Sequence, residues 1–168
     1  MKKTTLVLPL LITFSTLSTQ VSIGKNAVNG NNTILDFYED STNVQGLILS
    51  TVDILPTTPA NGTFLFDKTD DKVKMYENSA WVNLSDQGTE NNIVANTSSD
   101  NGDGVIIGAE QSAASGVLIL EADDKAIILP KITKPEENVP TPYPGMICYD
   151  TASKTMAVYD GKNWNYWK

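Results

Sequence analysis

The chain after residue 19 alternates short apolar runs with polar, turn-forming stretches. Within many runs apolar and polar residues alternate with a period of two, which is typical of a β-strand with one buried face. No stretch of this part keeps a 3.6-residue period for long enough to indicate a helix. The pattern therefore predicts an all-β protein built mostly from local hairpins. The predicted strands are 34–38, 47–49, 63–67, 72–76, 117–120, 127–129, 146–150 and 155–159.

The same pattern occurs twice along the chain. Segments 59–81 and 142–164 share Pro, Gly, Asp, Tyr and Trp residues whose positions all lie 83 residues apart. Further upstream, Gly46-Leu-Ile-Leu49 matches Ala126-Ile-Ile-Leu129, and a Val-x-Ile-Gly block opens both copies. Ordered blocks at a nearly constant offset indicate a tandem repeat. Each repeat is predicted to end in a three-stranded meander whose last strand carries the Trp.

The limits of the repeats divide the chain into four parts. Residues 1–19 have a basic head, an apolar run and small polar residues, which is the order of a secretory signal peptide, with cleavage before Gln20. The apolar run is shorter than the roughly 20 residues that cross a bilayer, so no membrane-spanning segment is predicted in the mature chain. We predict the first β repeat at 20–84, a polar linker at 85–104 and the second β repeat at 105–168.

The composition weakens several classes of function. The chain has twelve lysines, no Arg and no His, and its formal charge is −8. Without His there is no Ser-His or Cys-His couple and no imidazole metal ligand, and without Arg there is no bidentate clamp for phosphate or guanine. Negative charge also disfavours nucleic acid. Adjacent acids such as Asp70-Asp71 lie in predicted turns, where solvated side chains explain them better than glycosidase chemistry. We predict a non-enzymatic protein that binds no nucleic acid.

Several short motifs resemble those of one class of secreted proteins. The opening Gln20-Val-Ser-Ile-Gly24 resembles the Q-V-x-I-G start of secreted repeat proteins of Bacteroidetes. Tyr149-Asp-Thr151, followed by Tyr159-Asp-Gly161 and Trp164, resembles their Y-D-T…Y-D-G-x-x-W blocks. Similar elements occur in phage tail-fibre-like and other trimeric fibre modules. The resemblance covers nearly all of the chain after residue 19. It implies a secreted or cell-surface β protein and supplies no catalytic residues.

Two functions of different kinds follow. The resemblance implies a structural or adhesive, fibre-like surface protein that self-associates, with a homotrimer among the fitting assemblies, or that binds a surface glycan or protein. The alternative is a carbohydrate-binding β module that uses the C-terminal aromatic residues Trp164, Tyr166 and Trp167, because planar rings can stack on sugar faces. Trp164 and Trp81 occupy equivalent repeat positions, and packing in a core is the competing interpretation for both.

A polar loop between the repeats is the candidate metal site. Ser99, Asn101, Asp103 and Glu110 fall at positions 1, 3, 5 and 12 of a calcium loop of the EF-hand type, with Gly104 at position 6. Calcium is therefore the one cofactor considered. Ser replaces the usual Asp at position 1 and no helix is predicted on either side, so an ordinary turn leading into the next strand is the alternative interpretation.

Cys148 is the only cysteine in the chain and so has no intramolecular partner for a disulfide. Its apolar neighbours predict a buried strand position, where Cys behaves as a small hydrophobic residue. An intermolecular disulfide between exported copies is the alternative interpretation.

Overall fold

The computed structural model of the protein describes residues 20–95, 97–98, 102 and 104–168. The predicted signal peptide lies outside the described residues. The described part consists almost entirely of short β-strands and turns, which confirms the predicted all-β class. Its elements in chain order are β1 (Val21–Ile23), β2 (Thr33–Phe37), β3 (Leu47–Ile48), β4 (Thr51–Val52), β5 (Phe64–Asp67), β6 (Lys72–Glu77), β7 (Ala80–Asn83), β8 (Val105–Ile107), β9 (Leu118–Leu120), β10 (Ala126–Ile127), β11 (Lys131–Ile132), α1 (Pro135–Asn138), β12 (Met146–Asp150), β13 (Thr155–Tyr159) and β14 (Trp164–Trp167).

Both repeats end in the predicted three-stranded meander. In the first repeat β5, β6 and β7 pair antiparallel in sequence order, and the short strand β4 lies parallel to β5. In the second repeat β12, β13 and β14 pair in the same way, and β11 takes the place of β4. Tyr76 lies opposite Trp81, and Tyr159 lies opposite Trp164, so the two meanders share one register. The tandem repeat expected from the sequence is present in the fold.

The segments before each meander form parallel pairs. β1 pairs with β2, and β8 pairs with β9, in each case parallel and joined by a loop without a helix. β10 adds to the other edge of β2, again parallel. Parallel strands that return through loops of this kind give the protein a β-solenoid-like arrangement.

Two of the short strands cross between the repeats. β3 comes from the first repeat and pairs antiparallel with β12 of the second. β10 comes from the second repeat and pairs with β2 of the first. Because each repeat supplies a strand to a sheet of the other, backbone hydrogen bonds as well as side-chain packing join the two repeats.

The main core lies between the two meanders. Its buried cluster combines Phe66, Val73 and Leu84 of the first repeat with Ile147 and Val158 of the second. A second buried cluster lies on the opposite face of the second meander. Its members are Ile132, Val139, Met146, Cys148 and Ala157. The second meander is therefore covered on both faces, which explains why β12 is buried along nearly its whole length.

One segment differs from the sequence expectation by forming a helical turn. The sequence pattern predicted no helix after residue 19, but α1 forms one turn in the proline-containing stretch before the second meander. Pro135 stands at the start of this turn and Glu136 and Glu137 lie in it, residues that favour a helix N-terminus. In the described residues this is the one helix, and it is far too short to cross a membrane.

The first half of the predicted linker packs on both meanders. The Gly88 amide donates a hydrogen bond to the Asp71 carbonyl at 2.8 Å, and the Thr89 amide donates one to the Asp160 carbonyl at 2.9 Å. A few residues later, Ile93 packs against the main core. This part of the polar stretch therefore contributes to the contact between the repeats.

Candidate functional site

The last strands of the two meanders, β7 and β14, border an open groove of about 360 Å³. The Asp86 amide donates a hydrogen bond to the Asn165 side-chain oxygen at 3.1 Å and so connects the two repeats there. The groove is lined by Lys72, Asn83, Leu84, Ser85, Asp86, Asn165, Tyr166 and Trp167. Amide, hydroxyl and carboxylate groups beside aromatic residues form a surface that can bind a polar ligand.

Two of the three predicted ligand-binding aromatic residues line this groove. Tyr166 and Trp167 lie on β14 and are 40% and 38% exposed. The Tyr166 hydroxyl donates a hydrogen bond to the Glu136 carboxylate. Burial, together with this carboxylate, raises the pKa of Tyr166, so its phenol is neutral at neutral pH. The contact directs the Tyr166 ring toward α1, and the side chain of Trp167, the next residue of the strand, points to the opposite face of the sheet.

Trp164, the third predicted ligand-binding residue, is placed differently. It is half-buried and packs against Tyr159, with 5.3 Å between ring centroids, beside the second core cluster. Trp81 packs against Tyr76 in the same way at 5.2 Å. The two Trp residues therefore form equivalent cross-strand pairs with Tyr, as the packing interpretation expects for equivalent repeat positions.

The polar side of the groove was not predicted from the sequence. Asn165 corresponds to Val82 of the first repeat. This replacement of an apolar residue by a polar one was the sequence signal that could have indicated a polar site. The Asn165 amide donates a hydrogen bond to the buried carboxylate of Asp160 at 2.8 Å. Its side-chain oxygen is thereby oriented toward the Asp86 amide. Asn83 and Asp86 carried no comparable signal, because polar residues at the end of a strand are common.

Each meander holds a buried carboxylate at its hairpin turn. Asp67 accepts hydrogen bonds from the Thr69 amide and hydroxyl at 2.8 and 2.7 Å, and Asp150 accepts one from the Ala152 amide at 2.9 Å. Burial alone would raise the pKa of both carboxyls. For Asp67 the Lys74 ammonium and the Thr69 hydrogen bonds outweigh burial, and for Asp150 the hydrogen bonds from Ser153, Ala152 and Lys134 do so, which holds both pKa values below their usual range. Both carboxylates serve the fold by satisfying turn amides.

Acid is expected to destabilise the protein through its buried carboxylates. The folded-state pKa values of Asp36, Asp67 and Asp150 lie below the ordinary value of 3.8. Their stabilisation is therefore complete above that value and is lost as the pH falls through the lower folded-state values. Urea unfolding should give similar free energies at neutral and mildly acidic pH, and a loss of ~2 kcal/mol or more in strong acid. A free energy that stays constant into strong acid would contradict this.

The predicted calcium loop lies largely outside the described residues. Three of its four predicted ligands are outside the described residues, namely Ser99, Asn101 and Asp103. Glu110, the fourth predicted ligand, is exposed in a bend after β8. Across the described part of the chain there is no cluster of three or more His, Cys, Asp or Glu side chains that could hold a metal ion. Calcium binding stays a prediction.

Cys148 is fully buried in the second core cluster, which confirms the strand position predicted for it. Burial, with smaller effects from the charges of Asp150 and Glu136, raises the pKa of Cys148 to about 12. A protonated and inaccessible thiol reacts poorly in disulfide exchange. The residue therefore acts as a small apolar side chain in this fold.

Comparison with known protein families finds one match. Residues 106–168 match the family model of a phage tail like trimerisation region. This span is well under half of the chain but nearly all of the predicted second repeat. No curated protein and no solved structure matches the chain. The second repeat is therefore similar to phage tail-fibre-like trimeric modules, and its β-solenoid-like fold fits a structural, fibre-like protein.

Proposed function

We propose that this chain is a secreted, non-enzymatic structural protein of a cell surface or fibre, and that it functions as a homotrimer. The observation that carries this proposal is the similarity of residues 106–168 to a phage tail like trimerisation region. Export rests on the signal-like sequence of residues 1–19. Secretion and self-association together describe a subunit that is exported and then assembled.

An exposed apolar patch on β8 and β9 supports self-association. Val105 lies opposite Leu118 in this parallel pair, and the two side chains are 57% and 41% exposed. Val117, next to Leu118, is 65% exposed. Burying such a patch against a second copy stabilises an oligomer by about 25 cal/mol for each Å² of apolar surface removed from water. The patch lies within or beside the span that is similar to a trimerisation region.

Sedimentation equilibrium of the chain without residues 1–19 tests this proposal. We expect the mass of a trimer that dissociates only on strong dilution. Val117→Lys should weaken the association at least ~10-fold, because a lysine in the patch must be desolvated on assembly. Ile54→Lys is the matched control, since Ile54 is also apolar and is 82% exposed but lies in the first repeat. A strict monomer at the highest soluble concentration would refute the proposal.

The groove between β7 and β14 favours carbohydrate binding as a second candidate function. Trp167 provides an aromatic face, and Asn83, Asp86 and Asn165 provide hydrogen-bonding groups within the same groove. This combination suits a ligand that has both an apolar face and hydroxyl groups. Such an activity would give the structural subunit an adhesive role.

A glycan array followed by calorimetry tests the second candidate. Trp167→Ala is expected to weaken binding of any glycan hit about 10-fold or more, because it removes an aromatic face from the groove. Tyr38→Ala is the matched control, since Tyr38 is an aromatic residue that is 52% exposed and lies outside the groove. An array without hits, or equal affinities for the two variants, would exclude the groove as a sugar site.

A further inference from the structure

The strand β3 shows how the two repeats join through their backbones. It pairs antiparallel with the start of β12, with Leu47 opposite Ile147 and Ile48 opposite Met146. One residue further on, the Leu49 amide donates a hydrogen bond to the Gly145 carbonyl at 3.0 Å. A segment of the first repeat thus lies on the outer edge of the meander of the second repeat.

This junction is closely packed. A Cβ atom on Gly46 would lie 2.6 Å from Met146 Cγ and 2.8 Å from the Ile147 carbonyl oxygen. On the other strand, a Cβ atom on Gly145 would lie 3.3 Å from Phe66 Cβ and 3.7 Å from Leu49 Cβ. The two glycines allow the backbones of the two repeats to approach at van der Waals distance.

The equivalent edge in the first repeat is open. Gly62 corresponds to Gly145 and has nearly the same φ, +85° against +82°. A Cβ atom on Gly62, however, would meet no atom within 4 Å. The Phe66 amide donates a hydrogen bond to the Ser50 carbonyl, just before β4. Because every second residue of a strand faces the same neighbour, the peptide groups of Phe64 also point to the β4 side of β5. There β4 pairs only with the far end of β5, and no other described strand pairs with Phe64 on that side.

The segment that corresponds to β3 has an open edge as well. β10 is the edge strand of the sheet β1-β2-β10. The amides of Ala126 and Ile128 donate hydrogen bonds to carbonyls of the first repeat, Asn32 and Leu35, at 2.9 Å each. The peptide groups of Ile127 therefore point away from β2. Ile127 corresponds to Leu47, the residue whose backbone faces β12 in the internal junction.

From these two open edges we infer that β10 of one copy adds to the start of β5 of a second copy, in the register that β3 takes on β12. Ile127 then lies opposite Phe64, Ile128 opposite Thr63, and the Leu129 amide donates to the Gly62 carbonyl. This inference rests on the proposed self-association and names a backbone contact that contributes to it beside the apolar patch on β8 and β9. It is a case of β-strand addition, in which main-chain hydrogen bonds supply the affinity.

The symmetry of this contact agrees with a trimer. The two surfaces lie on different repeats, so each copy offers one donor strand and one acceptor edge. Such a head-to-tail contact forms a closed ring if the rotation closes after a few copies and a filament if it does not. Closure after three copies leaves no edge of this kind unpaired, and the similarity to a trimerisation region favours three copies over a reciprocal two-fold dimer, which would also pair both edges.

Cysteine cross-linking between differently tagged copies tests the register. Ile128 corresponds to Ile48, and Thr63 corresponds to Met146. Ile48 and Met146 lie opposite each other in the ladder but do not exchange backbone hydrogen bonds. The Cα atoms of such pairs lie about 4.5 Å apart, which allows a disulfide. Chains with Thr63→Cys and chains with Ile128→Cys should therefore form a mixed disulfide when mixed under mild oxidation. The native Cys148 is buried and does not compete.

The controls separate this inference from the proposed function. Ala152→Cys, at an exposed turn, replaces Ile128→Cys in the control mixture and should give little product with Thr63→Cys. If sedimentation shows an oligomer but the Thr63→Cys and Ile128→Cys chains do not cross-link above this control, the register is wrong and the self-association stands. If the unmodified chain is a strict monomer, both are wrong.

A proline variant provides an independent measurement. Ile127→Pro removes the one amide of β10 that points outward and leaves the amides that donate to β2. We expect association to weaken at least ~10-fold while the circular dichroism spectrum keeps its β signature. If a folded Ile127→Pro chain associates as strongly as the unmodified chain, the inference is wrong. This measurement decides the question also where Ile128→Cys fails to fold and cross-linking cannot be read.

Discussion

Replacing Asp67 with Ala is expected to lower the free energy of unfolding by about 3–5 kcal/mol. Asp67 is fully buried, and the Lys74 ammonium donates a hydrogen bond to its Oδ2 at 2.6 Å. Burial alone would lower the pKa of Lys74, but hydrogen bonds to Asp67 and Asp70 raise it, so the ammonium is charged. The variant leaves this buried charge with Asp70 as its remaining carboxylate, 2.9 Å away, and leaves the Thr69 amide without its acceptor.

Urea unfolding of matched variants measures this effect. Asp53→Ala is the control, because Asp53 also pairs with a lysine, Lys68 at 2.5 Å, but is 79% exposed. Its loss should stay below about 1 kcal/mol. The double variant Asp67→Ala with Lys74→Met should recover part of the stability, since it leaves no buried charge unpaired. Equal losses from Asp67→Ala and Asp53→Ala would show that burial does not strengthen the Asp67–Lys74 pair.

The buried ion pair also marks where the two repeats differ in packing. Lys74 corresponds to Ala157, which belongs to the second core cluster. In the second repeat that face of the sheet is covered by apolar side chains, including Ile132 and Val139. In the first repeat Lys74 and Asp67 occupy the equivalent face. A lysine between two apolar residues suggests a solvent-facing strand position, and for that reason the sequence did not predict its burial.

Local sequence patterns were sufficient to predict the two meanders. Their strands are neighbours along the chain, so alternation, turn residues and the 83-residue offset all apply within one short window. The pairing of β3 with β12 and of β10 with β2 joins residues that are far apart in sequence. Strands of two residues, such as Leu47–Ile48, are also too short to show a period. The exchange of strands between the repeats therefore had no local signal.

The candidate site was predictable only in part, for a related reason. Tyr166 and Trp167 stood out because the first repeat has no aromatic residues at the equivalent positions, Asn83 and Leu84. Leu84 fills the main core, whereas Trp167 is exposed, so equivalent positions have different environments. The groove itself needs the last strands of both repeats side by side, a relation that one-dimensional patterns do not contain.

Replacing Gly161 with Ala is expected to destabilise the protein by about 3–5 kcal/mol, from backbone strain and overpacking together. Gly161 is buried and has a φ of +93°, a conformation that L-residues with a Cβ atom rarely adopt. A Cβ atom there would lie 1.9 Å from the Thr89 carbonyl oxygen and 3.2 Å from Pro144 Cγ. Thr89 cannot withdraw freely, because its amide donates a hydrogen bond to the Asp160 carbonyl.

The comparison with Gly30→Ala separates strain from contact. Gly30 has a similar φ of +80°, but a Cβ atom there would only reach Thr33 Oγ1 at 3.8 Å. We expect this variant to lose about 1–2 kcal/mol, the cost of the left-handed backbone alone. Native-state hydrogen exchange adds a local readout, because Gly161→Ala should speed exchange of the Thr89 amide more than that of amides in β6. Equal losses in the two variants, with Thr89 still protected, would show that backbone strain alone sets the cost and that the predicted linker does not pack tightly on the Gly161 turn.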